Sequence, residues 1–478
     1  MRSYIHKEAL KQFNKDYDVL YQVIKNEILA DGESVNQKIV KYAESPSDFF
    51  RVVNEQPLLT IFVPELPNLH PSEWDPIKIV PSVAVAPNYE NKEDVKAFFG
   101  SEREYEIPYG LIPSAPTFVV KDNERVIITK NVSSEHKNED KDVFFRDMQF
   151  EFSFAEKEFN GLAPKKLESV ERLKSSSMMA SLNPEDIISR PPNRSEKDSY
   201  RNRKIALPKV QHIINAMESG AEWNRDNIYY GISSTVSTGA LKRNIKEYLT
   251  AFRFYDAEAS YNQIGLTPGD PQPLEGSIYQ NWAAGSYEFR ITALINTRNG
   301  PGLETQKVIL VKPSELFKLK YKKIQRPRGV PEEEGSYFWE PYVDGAKLYT
   351  LPQPLVLETW DLENMSYGWK ITFSKYNLQQ TVVTTETQSS EYATNFEINI
   401  KIGEKEKVGA KFGGSAKFTD TQTHSYTQVI GPAALGDANI YFSDPVWKSY
   451  SISGNTVTYD PYELQLGTVY LTIEPRQM

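Results

Sequence analysis

The chain has 478 residues, a net charge of −9 and no cysteine. Domains average about 150 residues, so about three folding units are expected. Hydrophobic residues make up 39% and charged residues 25%, a soluble globular composition that excludes a fibrous or wholly disordered chain. The acidic balance disfavours nucleic acid as a partner, because phosphate binding needs a basic surface. The lack of cysteine excludes disulfides, thiolate metal sites and cysteine nucleophiles.

The N-terminal region is predicted to combine helices with short strands. Apolar residues recur every three or four positions over residues 10–28, the period of one helical face, and predict a long amphipathic helix. A shorter helix is expected around residues 35–42. Frequent prolines over residues 57–87 predict short or edge strands in a loop-rich region. Two strand-like runs then predict a hairpin over residues 117–129.

Residues 166–204 are poor in apolar side chains and rich in Ser, Pro and charge. We predict a linker or long exposed loop here, which separates an N-terminal domain of residues 1–165 from domains of residues 205–350 and 351–478. Cleavage in this segment either regulates activity or has no regulatory role. The basic residues that offer trypsin-like sites are Lys165, Lys166, Arg190, Arg194, Arg201 and Arg203.

After residue 204 the pattern changes to strands separated by Pro and Gly turns. The clearest strand is residues 287–295, where apolar residues alternate with Glu288, Arg290 and Thr292. One buried face and one solvent-exposed face are therefore expected. The high aromatic content, 12% with 28 Tyr, also favours strands. The predicted fold class is mainly β with an N-terminal α-helical portion (α+β), with an elongated, multidomain β-sandwich body. Further strands are predicted at residues 249–255, 307–311, 355–360, 369–373 and 468–473.

No pattern typical of a catalytic centre is found. The five histidines are scattered, and neither a nucleotide-binding Gly-rich motif nor a nucleophile elbow occurs. Glu332, Glu333 and Glu334 are interpreted either as acid–base carboxylates or as a solvated turn. We therefore expect no enzymatic activity, and a hydrolase with dispersed carboxylates is kept as an alternative.

Two further features have alternative interpretations. Asp361, Glu363 and Asn364 lie in a loop between predicted strands and offer oxygen ligands that Ca²⁺ accepts. No other metal or cofactor is predicted. The seven tryptophans either pack in the core or form platforms that stack on glycans.

Residues 381–427 carry the strongest functional pattern. Of these 47 residues, 13 are Ser or Thr, and most of them lie in the two outer legs of the segment. When the segment is folded about Lys405, the outer legs match as a Ser/Thr ladder. The predicted register places Thr385, Thr387 and Ser389 opposite Ser425, Thr423 and Thr421.

Nearer the tip, one face of this long amphipathic hairpin becomes apolar and the other stays polar. Each apolar leg, 392–402 and 408–418, has 11 residues, and a tilted transmembrane strand needs about 9–11. Because backbone groups must be paired in hydrocarbon, the hairpin can cross a bilayer only within a closed barrel of several subunits. The residues expected to face lipid are Tyr392, Phe396, Ile398, Ile400, Ile402, Val408, Ala410, Phe412 and Phe418, and the charged tip is Gly403, Glu404, Lys405, Glu406 and Lys407.

This combination resembles the aerolysin-type β-pore-forming toxins, which have β-rich bodies and a Ser/Thr-rich strand pair around an amphipathic insertion hairpin. The resemblance implies a secreted bacterial toxin that recognises a target-cell membrane through a glycan or protein receptor. It further implies a homo-oligomer that inserts one hairpin per subunit. The alternative is a secreted multidomain β-sandwich protein that binds glycans or proteins, with the hairpin packed permanently on a neighbouring sheet.

Overall fold

The fold was analysed in a computed structural model of the chain. For residues 381–393 and 417–429 it describes the backbone pairing. The described chain is mostly β-strand and forms several antiparallel sheets, as the composition predicts. The structure describes residues 1–10, 18–67, 69–86, 94–100, 103–123, 126–130, 143–146, 150–154, 202–221, 223–236, 239–265, 287–298, 302–325, 337–375, 381–393, 417–429 and 434–478.

Short helices and a strand occupy the N-terminal region. They are α1 Arg2–Ala9, β1 Asp18–Leu20, α2 Tyr21–Ile24, α3 Val35–Val40 and α4 Pro46–Glu55. The prediction of one long helix over residues 10–28 is wrong, because β1 pairs with β2 Leu59–Phe62. Within the described part of this range, Leu20 and Ile24 are buried, whereas Ile28 is 64% exposed. The shorter predicted helix is α3, which begins at a capping box of Ser34 and Gln37.

A six-stranded sheet lies beneath these helices. Besides β1 and β2 it contains β3 Ser82–Val85, β4 Val95–Phe99, β5 Arg103–Ile107 and β7 Thr117–Asp122, in the order β1-β2-β7-β3-β4-β5. On the helix side, Trp74 and Phe118 belong to one hydrophobic cluster with α1, α3 and α4. On the other side, Ala84 and Val119 belong to a second cluster. Both faces of the sheet therefore contribute to the core around β7.

A separate three-stranded sheet contains β8 Val126–Lys130, β9 Phe145–Arg146 and β10 Phe150–Phe154. Both runs of the hairpin predicted over residues 117–129 are strands, but the predicted pairing is wrong. Strand β7 pairs with β2 and β3, whereas β8 pairs with β10. Local alternation identifies a strand, and contacts distant in sequence select its partner.

Two facing sheets form a β-sandwich-like body in the C-terminal part. Their strands are β12 Ile245–Phe254, β13 Tyr287–Ile295, β14 Leu303–Val311, β17 Tyr349–Val356, β18 Gly368–Lys375, β21 Ala434–Tyr441, β24 Leu464–Leu466 and β25 Val469–Gln477. One sheet has the order β17-β12-β25-β24 and the other β14-β13-β18-β21. The Phe252 ring of the first sheet lies 5.6 Å from Phe289 and 5.1 Å from Phe373 of the second. One hydrophobic core therefore lies between the two sheets.

Helices and a third sheet add to this body. The helices are α5 Gln211–Glu218, α6 Asn224–Tyr230, α7 Ala257–Gly265 and α8 Pro313–Leu316, and the sheet contains β11 Arg203–Ala206, β22 Trp447–Ser453 and β23 Thr456–Pro461. The predicted domain boundary at residue 350 is wrong, because β12 pairs with β25 from the far side of that boundary. Residues 205–350 and 351–478 share both sheets and one core.

A further three-stranded sheet joins the N-terminal region to the sandwich. It contains β6 Ile112–Pro113, β15 Phe317–Gln325 and β16 Tyr337–Ala346, with β16 in the centre. The Ser114 hydroxyl donates a hydrogen bond to the Tyr337 carbonyl oxygen at 2.8 Å. Phe338 joins the same hydrophobic cluster as Val119 of β7. The predicted N-terminal domain therefore shares a sheet and a core with residues far along the chain.

Both faces of β13 are buried, which corrects the prediction of one wet face. Glu288, Arg290 and Thr292 are each no more than 5% exposed. β13 is an inner strand between β14 and β18, and the amide nitrogen of Gln306 on β14 donates to the Thr292 hydroxyl at 3.4 Å. Alternation reports the chemical difference between the faces of a strand, but the position in the sheet decides whether the polar face contacts water.

Candidate functional site

The predicted functional hairpin begins inside the sandwich. Strands β18 and β21 are antiparallel neighbours in one sheet. The Trp369 ring of β18 stacks on Trp360 with centroids 3.8 Å apart, and the Phe373 ring lies 5.5 Å from Phe289. Both β18 rings are buried. Aromatic packing therefore fixes the base of the hairpin.

Beyond β18 and β21 the chain forms a second strand pair, β19 Thr381–Ala393 and β20 Lys417–Val429. Each strand has 13 residues, and within the described part of the chain neither pairs with a third strand. The pairing confirms the register predicted for the Ser/Thr legs. Thr385, Thr387 and Ser389 lie opposite Ser425, Thr423 and Thr421.

The two strand pairs are successive parts of one hairpin. In each residue pair of β19 and β20, the two residue numbers add up to 810. In most pairs of β18 and β21 they add up to 809. A nearly constant total means that both pairs fold about the same point, and half of 810 is residue 405. The described pairing is therefore symmetric about Lys405, the centre of the predicted charged tip.

A β-bulge lies near the outer end of the β18–β21 pair. The register of β18 and β21 shifts between Phe373 and Ser374, beside Gly436. Gly436 has φ +149°, and a Cβ at this position would lie 2.5 Å from the backbone carbonyl carbon of Leu466. Only glycine fits this close approach without a shift of the backbone. Because Leu466 ends β24, the bulge ties the base of the hairpin to the facing sheet.

The structure describes only the first apolar pair of the candidate insertion residues. Tyr392 lies directly opposite Phe418, in the predicted register. The other residues assigned to the apolar legs and tip lie outside the described residues: Phe396, Ile398, Ile400, Ile402, Gly403, Glu404, Lys405, Glu406, Lys407, Val408, Ala410 and Phe412. The described ladder thus leads from the sandwich to both ends of the segment 394–416.

The candidate Ca²⁺ ligands lie in a turn after β17. The Asp361 Oδ2 atom accepts a hydrogen bond from the Asn364 side-chain amide at 3.0 Å and lies 3.6 Å from the Arg243 guanidinium. The Asp361 carbonyl oxygen also accepts from the backbone N–H of Asn364 and Met365. The Asp361 carboxylate therefore closes the turn, and Glu363 is half-buried beside it. Among the residues that the structure describes, no three His, Asp or Glu side chains form a group able to hold a metal ion.

A buried carboxylate without a sequence signal anchors α6 to the sandwich. Glu247 of β12 accepts hydrogen bonds from the Arg225 guanidinium at 2.7 and 3.2 Å. The Trp360 indole and the Tyr229 hydroxyl donate to the same carboxylate at 2.9 and 3.2 Å. Burial, reinforced by the charge of Glu247, raises the pKa of Tyr229 well above its usual value. Four donors saturate the carboxylate, which makes it a structural anchor.

A second buried carboxylate, Glu474 of β25, anchors the start of the sandwich. It lies 3.1 Å from the Arg203 guanidinium of β11 and accepts from the Trp447 indole at 2.9 Å. Arg203, one of the predicted protease-sensitive residues, has a side chain that is 11% exposed and ion-paired within a strand. The sandwich thus begins inside the predicted linker, and the other candidate cleavage sites, Arg190, Arg194 and Arg201, lie outside the described residues.

The tryptophans serve mainly in packing. Trp447 stacks on Tyr459 with centroids 4.0 Å apart. The core interpretation is confirmed for the four buried tryptophans, Trp74, Trp360, Trp369 and Trp447. Trp223 and Trp339 are half-buried, and Trp282 lies outside the described residues.

Comparison of the chain with protein families, curated proteins and solved structures found no match. No helix in the described ranges is long and apolar enough to span a bilayer.

Proposed function

We propose that the chain is a pore-forming protein that oligomerises on a target membrane and inserts one β-hairpin per subunit. This is the activity implied by the resemblance to aerolysin-type toxins. Under this proposal the protein is a secreted, non-enzymatic bacterial toxin with a glycan or protein receptor. The observation that carries the proposal is the pairing of β19 with β20 in a register symmetric about residue 405.

The length of this pair supports the proposal. Strands of 13 residues extend roughly 40 Å at about 3.3 Å per residue. The pair starts at the sandwich and ends where the apolar legs begin, at Tyr392 opposite Phe418. The Ser/Thr legs can therefore form a barrel wall above the bilayer, while the apolar legs form the crossing segment.

The open edges of the pair support assembly. Among the described strands, β19 and β20 form a two-stranded sheet with no third partner. A two-stranded sheet is marginally stable alone, and its unpaired edges accept further strands. Hairpins from several copies can join edge to edge, and closure of the ring pairs every backbone group, as a bilayer crossing requires.

Dye release from liposomes tests the proposal. We expect the wild-type chain to release dye and to form rings visible by electron microscopy. Ile398→Asp should abolish release, because an acidic side chain at a lipid-facing strand position is disfavoured near the bilayer midplane. Asn399→Asp is the matched control, since it adds the same side chain to the lumen-facing side and should preserve release. Thermal melts must show that both variants fold.

The absence of cysteine allows a second test of the same geometry. A fluorophore sensitive to polarity can be attached to the single introduced cysteine of Ile398→Cys, Asn399→Cys or Ile400→Cys. On vesicles, the labels at 398 and 400 should report lipid and the label at 399 should report water.

Two outcomes contradict the proposal: equal dye release by Ile398→Asp and Asn399→Asp, or no dye release by the wild-type chain. Intact vesicles together with retention on a polysaccharide column would favour the binding protein without membrane insertion.

A further inference from the structure

Residues 77–80 form an exposed apolar loop in the N-terminal region. Ile77, Ile79 and Val80 are 71%, 46% and 42% exposed, and Lys78 between them is also exposed. The prolines that flank the loop are buried. Single exposed apolar side chains are common in soluble proteins, whereas a cluster of them marks an interaction site.

The loop has a defined shape and a rigid base. The Asp75 Oδ1 atom accepts a hydrogen bond from the Ile77 N–H at 2.9 Å. The Asp75 carbonyl oxygen accepts from the N–H groups of Lys78 and Ile79 at 3.0 and 2.9 Å. Trp74, directly before the turn, is buried. The apolar side chains are therefore presented in a preorganised turn, which reduces the entropic cost of binding.

Further exposed apolar side chains lie on β3, which begins two residues after the loop, and on its neighbour β4. Trp74 packs on Phe118 of β7 with centroids 5.8 Å apart. Phe118 pairs with Val83 of β3, and Val83 pairs with Phe98 of β4, so these side chains form a row on one face. Phe98 and, two positions after Val83, Val85 are exposed. We name Ile77, Ile79, Val80, Val85 and Phe98 the Ile77 surface.

We propose that the Ile77 surface attaches the protein to the interface of a zwitterionic phospholipid bilayer. This inference rests on the proposed function only in that the chain acts at a membrane, because attachment needs no insertion of the hairpin. Aliphatic side chains on a projecting loop enter the boundary between headgroups and acyl chains, as in other proteins that bind the membrane surface. A bilayer requires no complementary pocket, which suits a loop that projects between buried prolines.

Charge selects the type of bilayer. Lys78 lies at the centre of the loop, where its ammonium group can contact one lipid phosphate. The net charge of −9 repels an anionic bilayer. Glu104, opposite Phe98, is ion-paired with Lys96, opposite Val85, at 3.5 Å, so this edge of the Ile77 surface carries a balanced pair of charges. Zwitterionic phosphatidylcholine therefore fits this surface better than phosphatidylserine.

Co-sedimentation of the full chain with phosphatidylcholine vesicles tests the proposal. The double variant Ile77→Asp, Ile79→Asp should lower vesicle affinity by about tenfold or more, because it replaces the inserting side chains with charged groups. The matched control is Ile452→Asp, at an exposed β22 position with 48% exposure, and it should bind like the wild-type chain. Thermal melts of each variant verify folding.

Three results would overturn the attachment site: a wild-type chain that does not sediment with phosphatidylcholine vesicles, binding that requires phosphatidylserine, or the same loss of affinity in Ile452→Asp. Ile398→Asp separates this site from the pore, because it should bind vesicles normally and release no dye. If the wild-type chain binds through the Ile77 surface but never releases dye, the attachment site stands and the pore proposal fails.

Discussion

The two parts of the long hairpin share nearly the same register but have different surroundings. Strands β18 and β21 are inside the sandwich, where Trp369 and Phe373 are buried among other aromatic rings. Strands β19 and β20 pair, within the described residues, only with each other. Backbone pairing thus continues along the hairpin, and aromatic burial fixes its base. Core strands such as β18 open only at the highest free energies.

The chemistry of the side chains matches this difference. Burial of a large apolar side chain contributes about 1.5–3 kcal/mol, and β18 presents such side chains to the core. The paired positions of β19 and β20 include matched Ser and Thr residues, which have little apolar area to bury. Burial in the sandwich core therefore contributes more to the stability of β18 than the matched Ser and Thr pairs can contribute to that of β19 and β20.

The largest expected effect comes from removing a ring at the hairpin base. Trp369→Ala should lower the free energy of unfolding of the sandwich by about 3–5 kcal/mol, because it leaves a cavity beside Trp360. Thr387→Ala in β19 should change it by less than about 0.5 kcal/mol. Urea unfolding of both variants provides the measurement. Equal losses would mean that the outer hairpin is fixed as firmly as its base.

Removal of a buried charge should have the next largest effect. Glu247→Gln leaves the buried Arg225 without its counter-charge, and we expect a loss of about 3 kcal/mol in the free energy of unfolding. The control is Asp437→Asn on β21, which breaks a pair with Lys370 at 3.7 Å where Asp437 is 60% exposed. That control should cost less than about 1 kcal/mol. Similar urea midpoints for the two variants would contradict the prediction.

A substitution at Gly436 tests the contact between the base of the hairpin and the facing sheet. Gly436→Ala should cost about 2 kcal/mol of stability, because its Cβ would meet the Leu466 backbone and the φ is unfavourable. Gly454→Ala also has positive φ but open space around its Cβ, so it should cost only about 1 kcal/mol. Thermal denaturation distinguishes the two. If Gly436→Ala is the milder variant, the bulge does not tie the hairpin to the facing sheet.

A smaller, pH-dependent effect is expected in the N-terminal region. Burial lowers the pKa of His6, which packs on Trp74 and hydrogen-bonds the Pro71 carbonyl oxygen. The unfolded chain binds the proton more readily, so the stability contributed by His6 is complete above pH of about 6.5 and is lost as the pH falls. The protection of the α1 amides against hydrogen exchange, after correction for the intrinsic pH dependence of exchange, should therefore fall on acidification. This loss of protection should be weaker in His6→Gln, and the same loss in that variant would contradict His6 as its cause.

The smallest effect on the stability of the sandwich is expected from limited trypsin treatment, which should cut before β11 and leave the sandwich intact. Cleavage after Arg201 would release a fragment that starts at residue 202 and retains β11. The bond after Arg203 should resist, because its side chain is ion-paired with Glu474. Mass spectrometry of the fragments identifies the cut. Early cleavage after Arg203 would contradict the firm pairing of β11 with β23. Unchanged dye release by the fragment would contradict activation of the protein by cleavage.

Local sequence patterns were sufficient to predict a strand. They also predicted strand pairing where the two strands lie close together in the sequence and share one alternating pattern. The predicted strand over residues 287–295 is β13, and the Ser/Thr legs pair in the predicted register. If one strand slipped by one residue, the Ser and Thr residues of one leg would no longer lie opposite those of the other leg. The alternation of Ser and Thr therefore specifies the register of the pair. The Ile77 surface also had a signal, an aliphatic run between prolines, although its exposure could not be read from that run.

The amino-acid sequence alone therefore specifies a β-rich chain and the register in which its two Ser/Thr-rich legs pair. Tertiary contacts selected β2 as a partner of β7, brought Arg203 to Glu474 from 271 positions away, and buried the polar face of β13. They also placed a strand, β1, within the range 10–28 that was predicted to be a helix, because β1 pairs with β2. Periodicity reports which side of an element is apolar, whereas partners and burial depend on contact energies between residues that lie far apart in the chain.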